Sequence, residues 1–188
     1  KTDSIGGTTA GNSRTITITQ PGQKTPMTVT LTDDQTSLSG IRDAINKQNG
    51  SVTASIIKAD DDSYYLSLTS KDTGLTNAMT VTVSGDDKLK QNLAYDPAAT
   101  TGNGLTQTVK AADAAVKIND ITITRSSNTI SDAQDGLTLT LTKQTEENKP
   151  EQLTVARDNT AMKTAIQTFV DAYNSLQTKI SSQTKYTA

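Results

Sequence analysis

The densest chemical grouping in the sequence is the acidic run Asp60, Asp61 and Asp62, with a second pair at Asp86 and Asp87. Neighbouring carboxylates can hold a divalent cation. A calcium loop, however, needs ligands spread over about twelve residues, a glycine bend and a distal glutamate. Nothing around 60–62 supplies that pattern, so the run is expected at a solvated hairpin tip, and Asp86 and Asp87 are expected to face solvent likewise. Gly102, Asn103 and Gly104 could suggest a phosphate loop, but a third glycine and a following helix signal are missing. Asn49, Gly50 and Ser51 fit a glycosylation acceptor, a match without meaning in a bacterial source. The same Asn-Gly step serves as a helix stop.

What is missing narrows the chemistry further. The 188 residues include no Cys, no His and no Trp. Disulfides, thiol chemistry and thiolate zinc sites are excluded. The usual neutral-pH acid–base group and the usual transition-metal ligand are gone as well. Carboxylate pairs for glycoside cleavage could come from any of the 20 acids, but aromatic residues make up 3%, too few to wall a sugar cleft. The expectation is a protein that is not an enzyme, with no cofactor, no metal and no catalytic residue. The net charge of −2, with no Lys/Arg cluster, leaves no footprint for nucleic acid. No apolar run approaches the length of a membrane span, so no membrane partner is expected either. The first residues are not a signal peptide. An opening on Lys1 without Met is what a piece of a longer protein would show.

The elements that would position any site are mostly strands. Threonine accounts for 35 residues, many in alternating runs. It is β-branched and short, and it suits the wet face of a half-buried strand. With an apolar fraction of 32%, several thin β layers are expected rather than one thick core. Strands are predicted at 14–20, 27–31, 51–58, 64–70 and 78–83. Between them, Leu38, Ile41 and Ile45 fall on one helical face. Thr36 or Ser37 can cap its start, and Asn49-Gly50 can stop it. The order β-β-α-β-β-β makes a complete small α+β unit. Residues 84–109 read as a polar crossing between domains. A second β unit follows, with strands at 115–118, 121–125, 137–142 and 153–157. Within it Ile121, Ile123, Leu137, Leu139 and Leu141 are expected on the buried face.

The segment "LSGIRDAI" (38–45) has an echo in "ISDAQDGL" (130–137). Either both units use a strand leading into a capped helical turn, or both are simply good N-cap sequences. The last segment is of another kind. Met162, Ile166, Phe169, Tyr173, Leu176 and Ile180 recur at steps of 4, 3, 4, 3, 4. That is an a/d seam over three heptads, suited to packing against a further helix. Asp158 and Asn159 can cap its start, and Asp158 also opposes the positive helix end. The chain offers this seam no partner. The helix is therefore expected to pair with a helical domain outside the chain or between subunits, and these six residues are the candidate assembly site.

The segment "VKINDITITRSSNTISDAQDGLTLTL" (116–141), with its Ile118-Asn119 pair, resembles the hook IN motif of flagellins and flagellar hook-associated proteins. Together with "RDNTAMKTAIQTFVDAYNSL" (157–176), and with "LSGIRDAINKQNGSVTASII" and "YYLSLTSKDTGLTNAMTV" upstream, it resembles the bacterial flagellar filament cap family (FliD, hook-associated protein 2). The resemblance runs over nearly the whole chain. It implies a mainly β, α+β fold: two β-rich domains of antiparallel sheets with a short helix, the outer inserted in the inner, followed by a C-terminal amphipathic heptad helix. The implied boundaries are 14–95 for the outer domain, 1–13 and 96–157 for the inner, and 158–188 for the start of a helical leg. The implied role is non-enzymatic. An extracellular, secreted homo-oligomeric ring at the flagellum tip would promote flagellin folding and polymerisation and prevent loss of subunits. Implied partners are further copies of itself, flagellin, the hook-filament junction protein and, in some members, host mucin. A chain exported unfolded gains nothing from disulfides, which suits the absence of Cys. The alternative is an adhesin-type module recognising mucin or a surface glycan.

Overall fold

The computed structural model describes residues 1–7, 13–146, 149–154 and 158–185. The chain forms two units, Lys1–Lys143 and Gln144–Ala188. The first is built mainly from antiparallel strands. Strands β1 (Arg14–Thr19) and β2 (Met27–Leu31) form a hairpin, and β5 (Thr80–Ser84) adds to the other side of β1. Ile16 lies opposite Val29 on one side and Val83 on the other, and Ile18 lies opposite Val81. The Ile and Val positions are buried and the intervening threonines face outward. This alternation is the reason the segment forms a sheet with one dry face.

Helix α1 (Leu38–Lys47) covers that dry face. Its start is capped by Ser37, whose side chain accepts from the Gly40 N–H, and its buried stripe is Ile41, Ala44 and Ile45. Gly40 sits in the first turn of α1, where a side chain is excluded: a Cβ there would lie 2.7 Å from the Gln35 Cα. Past the C-terminus Asn49 takes φ +49, the left-handed stop expected of Asn. A second hairpin, β3 (Val52–Lys58) with β4 (Tyr64–Ser70), adds Val52 and Ala54 to the same core. The Asn46 side chain joins helix to strand, exchanging two hydrogen bonds of 2.8 Å with the Ala54 backbone. Each fully buried Ile, Leu or Val stabilises by about 1.5–3 kcal/mol. The Asp60–Asp62 run lies exposed at the β3–β4 tip, as expected.

Residues 84–109 hold more order than their polarity suggests. Asp87–Leu93 is a helix, α2, whose Leu89 and Leu93 are buried in the core. Tyr95 then exchanges two backbone hydrogen bonds with Val81 on the free edge of β5. Beyond it come two hairpins, β6 (Ala114–Ile118) with β7 (Ile121–Arg125) and β8 (Thr129–Gln134) with β9 (Leu137–Thr140).

Four expectations are corrected here. First, residues 130–137 form no helical turn. They run along β8 and through the Gly136 turn into β9, where Ile130 pairs with Leu139, so the echo of 38–45 does not extend to structure. Second, Ile121 is 67% exposed. It follows a tight turn in which Asn119 and Asp120 both take positive φ, and no described residue covers it. Ile123, Leu137, Leu139 and Leu141 are half-buried, and Ile130 is the fully buried residue of this region. Third, Leu153 and Thr154 are not in a strand; the rest of the strand expected at 153–157 lies outside the described residues. Fourth, Asp86 does not face solvent, as described below.

Candidate functional site

The second unit carries the seam. Helix α3 runs Thr160–Thr184, about 38 Å at the usual rise. The Asp158 carboxylate accepts from the Thr160 N–H at 2.8 Å. The Thr160 hydroxyl and N–H together hold the Asp158 carboxyl below its ordinary range. Asn159 occupies the cap position without a side-chain capping bond. The expected division of labour between the two residues is thus resolved in favour of Asp158.

All six seam residues lie on α3, and all are open. Met162, Ile166, Phe169, Tyr173, Leu176 and Ile180 are between 48 and 71% exposed, and no described residue of the helix is buried. The hydroxyls of Thr164, Thr168 and Thr178 bond back to carbonyls one turn earlier, a pattern that adds little to helix stability. Threonine is also a poor helix former. A helix of this composition relies on burial of its apolar stripe. The arrangement can do one thing chemically: offer an apolar ridge to another helix.

A second cluster was missed by sequence reasoning. The Asp86 carboxylate is buried and accepts five hydrogen bonds from four donors. They are the Gly7 N–H at 2.8 and 3.0 Å, the Lys88 and Leu89 N–H groups at the start of α2, and Arg14 Nε at 2.7 Å. Arg14 also reaches the Gly7 carbonyl at 2.9 Å and pairs with Asp33. Burial pushes the Asp86 carboxyl up. The bonds from Leu89, Arg14 and Gly7 outweigh that and hold it below the ordinary carboxylate range. The bond to Asp86, with Asp33 adding, raises the Arg14 guanidinium. Around this clasp the entry segment is fixed: Ile5 N–H donates to the Thr36 carbonyl, Ser4 and Thr36 share a hydroxyl bond, and Asn92 donates to the Ile5 carbonyl. No local pattern marks Asp86, because its partners Arg14 and Gly7 are 72 and 79 positions away.

A third cluster ties the first hairpins to the later ones. Gly74 takes φ +99, and a Cβ there would lie 2.5 Å from the Ser126 Cβ. On either side, Thr73 Oγ1 donates to the Ser126 carbonyl and the Leu75 N–H donates to Asp113 Oδ1, both at 2.7 Å. Ser126 to Thr129 are otherwise exposed. None of the three clusters gathers groups for catalysis. Among the described residues no set of three acidic side chains converges on a metal position, and no helix is long and apolar enough to cross a membrane.

Comparison with known proteins agrees along the chain. Residues 111–188 match the family model described as flagellar hook-associated protein 2 C-terminus, and residues 15–72 match the flagellin hook IN motif. The IN motif therefore lies on β1–β4 and α1, which corrects its placement on 116–141. The chain is 47% identical to flagellar hook-associated protein 2 of Salmonella typhimurium over 97% of its own length and 38% of that protein's. It is also 47% identical to the Escherichia coli K12 protein of that name, over 92% of this chain and 36% of that protein's length. The chain thus spans less than two fifths of these relatives. Among solved structures, the D2–D3 domains of the Serratia marcescens flagellar cap protein superpose with a TM-score of 0.77 at 37% identity, over 82% of this chain and 80% of that one. The D1–D2–D3 structure from Escherichia coli gives 0.75 at 42%, over 98% of this chain and 51% of that one.

Proposed function

The chain belongs to the flagellar hook-associated protein 2 family, the flagellar cap proteins, and from that membership we propose that it is the projecting portion of a cap at the distal end of a flagellar filament. In this reading residues 14–95 are an outer domain, residues 1–13 and 96–157 belong to the inner domain it interrupts, and 158–188 begin a helical leg. The cap works outside the cell, without catalysis. It holds arriving flagellin subunits so that they fold and insert at the tip, and it meets the hook-filament junction protein before the filament grows. No observation here favours the adhesin reading.

The observation that carries the proposal is the open seam of α3. Six apolar residues on one helical ridge are costly to leave in water. Each contributes about 1.5–3 kcal/mol when covered. A partner helix in the remaining part of the full-length protein would cover them and complete the leg through which copies form a ring. The test replaces Phe169 and Ile166 with Asp in the full-length protein. Single-particle images should lose closed rings, and a cap-deleted bacterium should secrete flagellin instead of growing filaments. The 188-residue chain carrying both changes should melt as before, because both side chains are already exposed. Rings and filaments that survive the double substitution would refute the role of the seam.

A further inference from the structure

We propose that Asn49-Gly50 is a self-modification site, at which the chain slowly converts an amide side chain into a carboxylate with water as the only co-reactant. The sequence holds two Asn-Gly steps, Asn49-Gly50 and Asn103-Gly104. In such a step the backbone nitrogen of the glycine attacks the asparagine Cγ. A new C–N bond closes a succinimide ring, and the bond from Cγ to Nδ2 breaks. The departing amide leaves as ammonia, taking the proton lost by the attacking nitrogen. Water then adds to one of the two ring carbonyls and opens the ring to an aspartyl or an isoaspartyl residue. Glycine favours the attack because it has no side chain to obstruct it.

The two steps are set up differently. At 103 every reacting group is held. Asn103 Nδ2 donates to the Asp96 carbonyl at 3.0 Å, and its Oδ1 accepts from the Asp96 N–H at 2.9 Å. The attacking group, the Gly104 N–H, is tied to the Ala94 carbonyl at 2.8 Å. A Cβ at Gly104 would lie 2.2 Å from the Gln91 carbonyl oxygen, so this backbone is wedged against α2. At 49 the side chain is exposed, and its contact is of the activating kind. Lys71 Nζ donates to Asn49 Oδ1 at 3.3 Å. An ammonium on that oxygen draws electrons from Cγ and stabilises the oxyanion formed on attack. Lys71 is held beside it by its own N–H, which donates to the Ser51 carbonyl at 2.8 Å.

The fold also selects this labile pair. Position 49 needs a residue that accepts φ +49, which favours Asn or Gly. Position 50 suits a glycine, since a Cβ would lie 2.7 Å from Met27 Sδ, and the Met27 side chain, packed on the core, would have to shift to admit it. The product carboxylate would sit beside Lys71. Its isoaspartyl form would lengthen the backbone between α1 and β3.

The test is peptide mapping with isoaspartate detection on the full chain, aged at mildly alkaline pH with and without urea. In the native chain position 49 should convert at least about tenfold faster than 103, because 103 must first break its hydrogen bonds. In urea the two rates should come within about twofold, because both lose their surroundings. Lys71→Met should slow 49 about threefold and leave 103 unchanged. Equal native rates, or a ratio that persists in urea, would overturn the proposal. An unchanged rate in Lys71→Met would overturn the activating role of the ammonium.

Discussion

Replacing Asp86 tests the clasp more directly than any other change. In Asp86→Ala the start of α2 loses its side-chain cap, worth about 1 kcal/mol. Because Leu89 and Leu93 are buried, the helix cannot fray freely to escape that loss. The Gly7 N–H, which meets both carboxylate oxygens, is left without its acceptor in a partly covered place. That adds about 1–3 kcal/mol. At about 2–4 °C per kcal/mol for a unit of this size, the melting temperature should fall by about 4–16 °C. Asp86→Asn separates the parts. Asn caps helices as well as Asp does and can still accept from Gly7, but the charge beside Arg14 is gone. Its loss should be smaller. The sign with pH follows from the depressed carboxyl. The wild-type advantage over Asp86→Asn is fully present above the unfolded carboxyl pKa of about 4. It disappears as pH falls through the lower folded value. Thermal unfolding of the 188-residue chain by circular dichroism, repeated from neutral to acid pH, reads both effects. A melting temperature for Asp86→Ala within about 2 °C of wild type would refute the reasoning. So would a gap to Asp86→Asn that stays constant into acid.

Two substitutions of the same type should differ widely by place. Ile41→Ala, in the fully buried stripe of α1, should cost about 2–5 kcal/mol in urea unfolding, while Ile121→Ala at its open hairpin end should stay within about 0.5 kcal/mol. Gly74→Ala forces a Cβ onto Ser126 at positive φ. It should speed amide exchange at 73–75 and 126–128 without changing exchange in α1. Unchanged exchange there would mean that the contact with Ser126 does not hold the two hairpin regions together.

What could be read from the sequence followed from local spacing. The Ile/Thr and Val/Thr alternation located β1, β2 and β5 closely, and the Leu/Ser and Leu/Thr alternation located β4, because one dry face and one wet face impose period two on each strand. The heptad steps located α3 for the same kind of reason. Helix α2 stayed hidden because it is seven residues long and buries only Leu89 and Leu93 among charged neighbours. Residues 130–137 misled because Ser and Asp spacing imitates a helix cap. In the fold Asp132 is instead paired across strands with Arg125, which draws the carboxyl down. Asp86 was illegible for a different reason: its burial depends on partners distant in the chain.

The Asp86 clasp has a mechanical consequence. β1 and β5 are antiparallel, with Thr15 opposite Ser84, and a Cβ at Gly85 would lie 2.5 Å from the Ser13 carbonyl oxygen. The chain thus enters this sheet beside the place where β5 ends. A tension that drew these two points apart would act across the strands, in the direction of the hydrogen bonds between them. It would load the bonds pair by pair instead of all together. The first links to take the strain would be those from Gly7 and Arg14 to Asp86. Once they part, the sheet offers little further resistance to being peeled open, although it is well packed at rest.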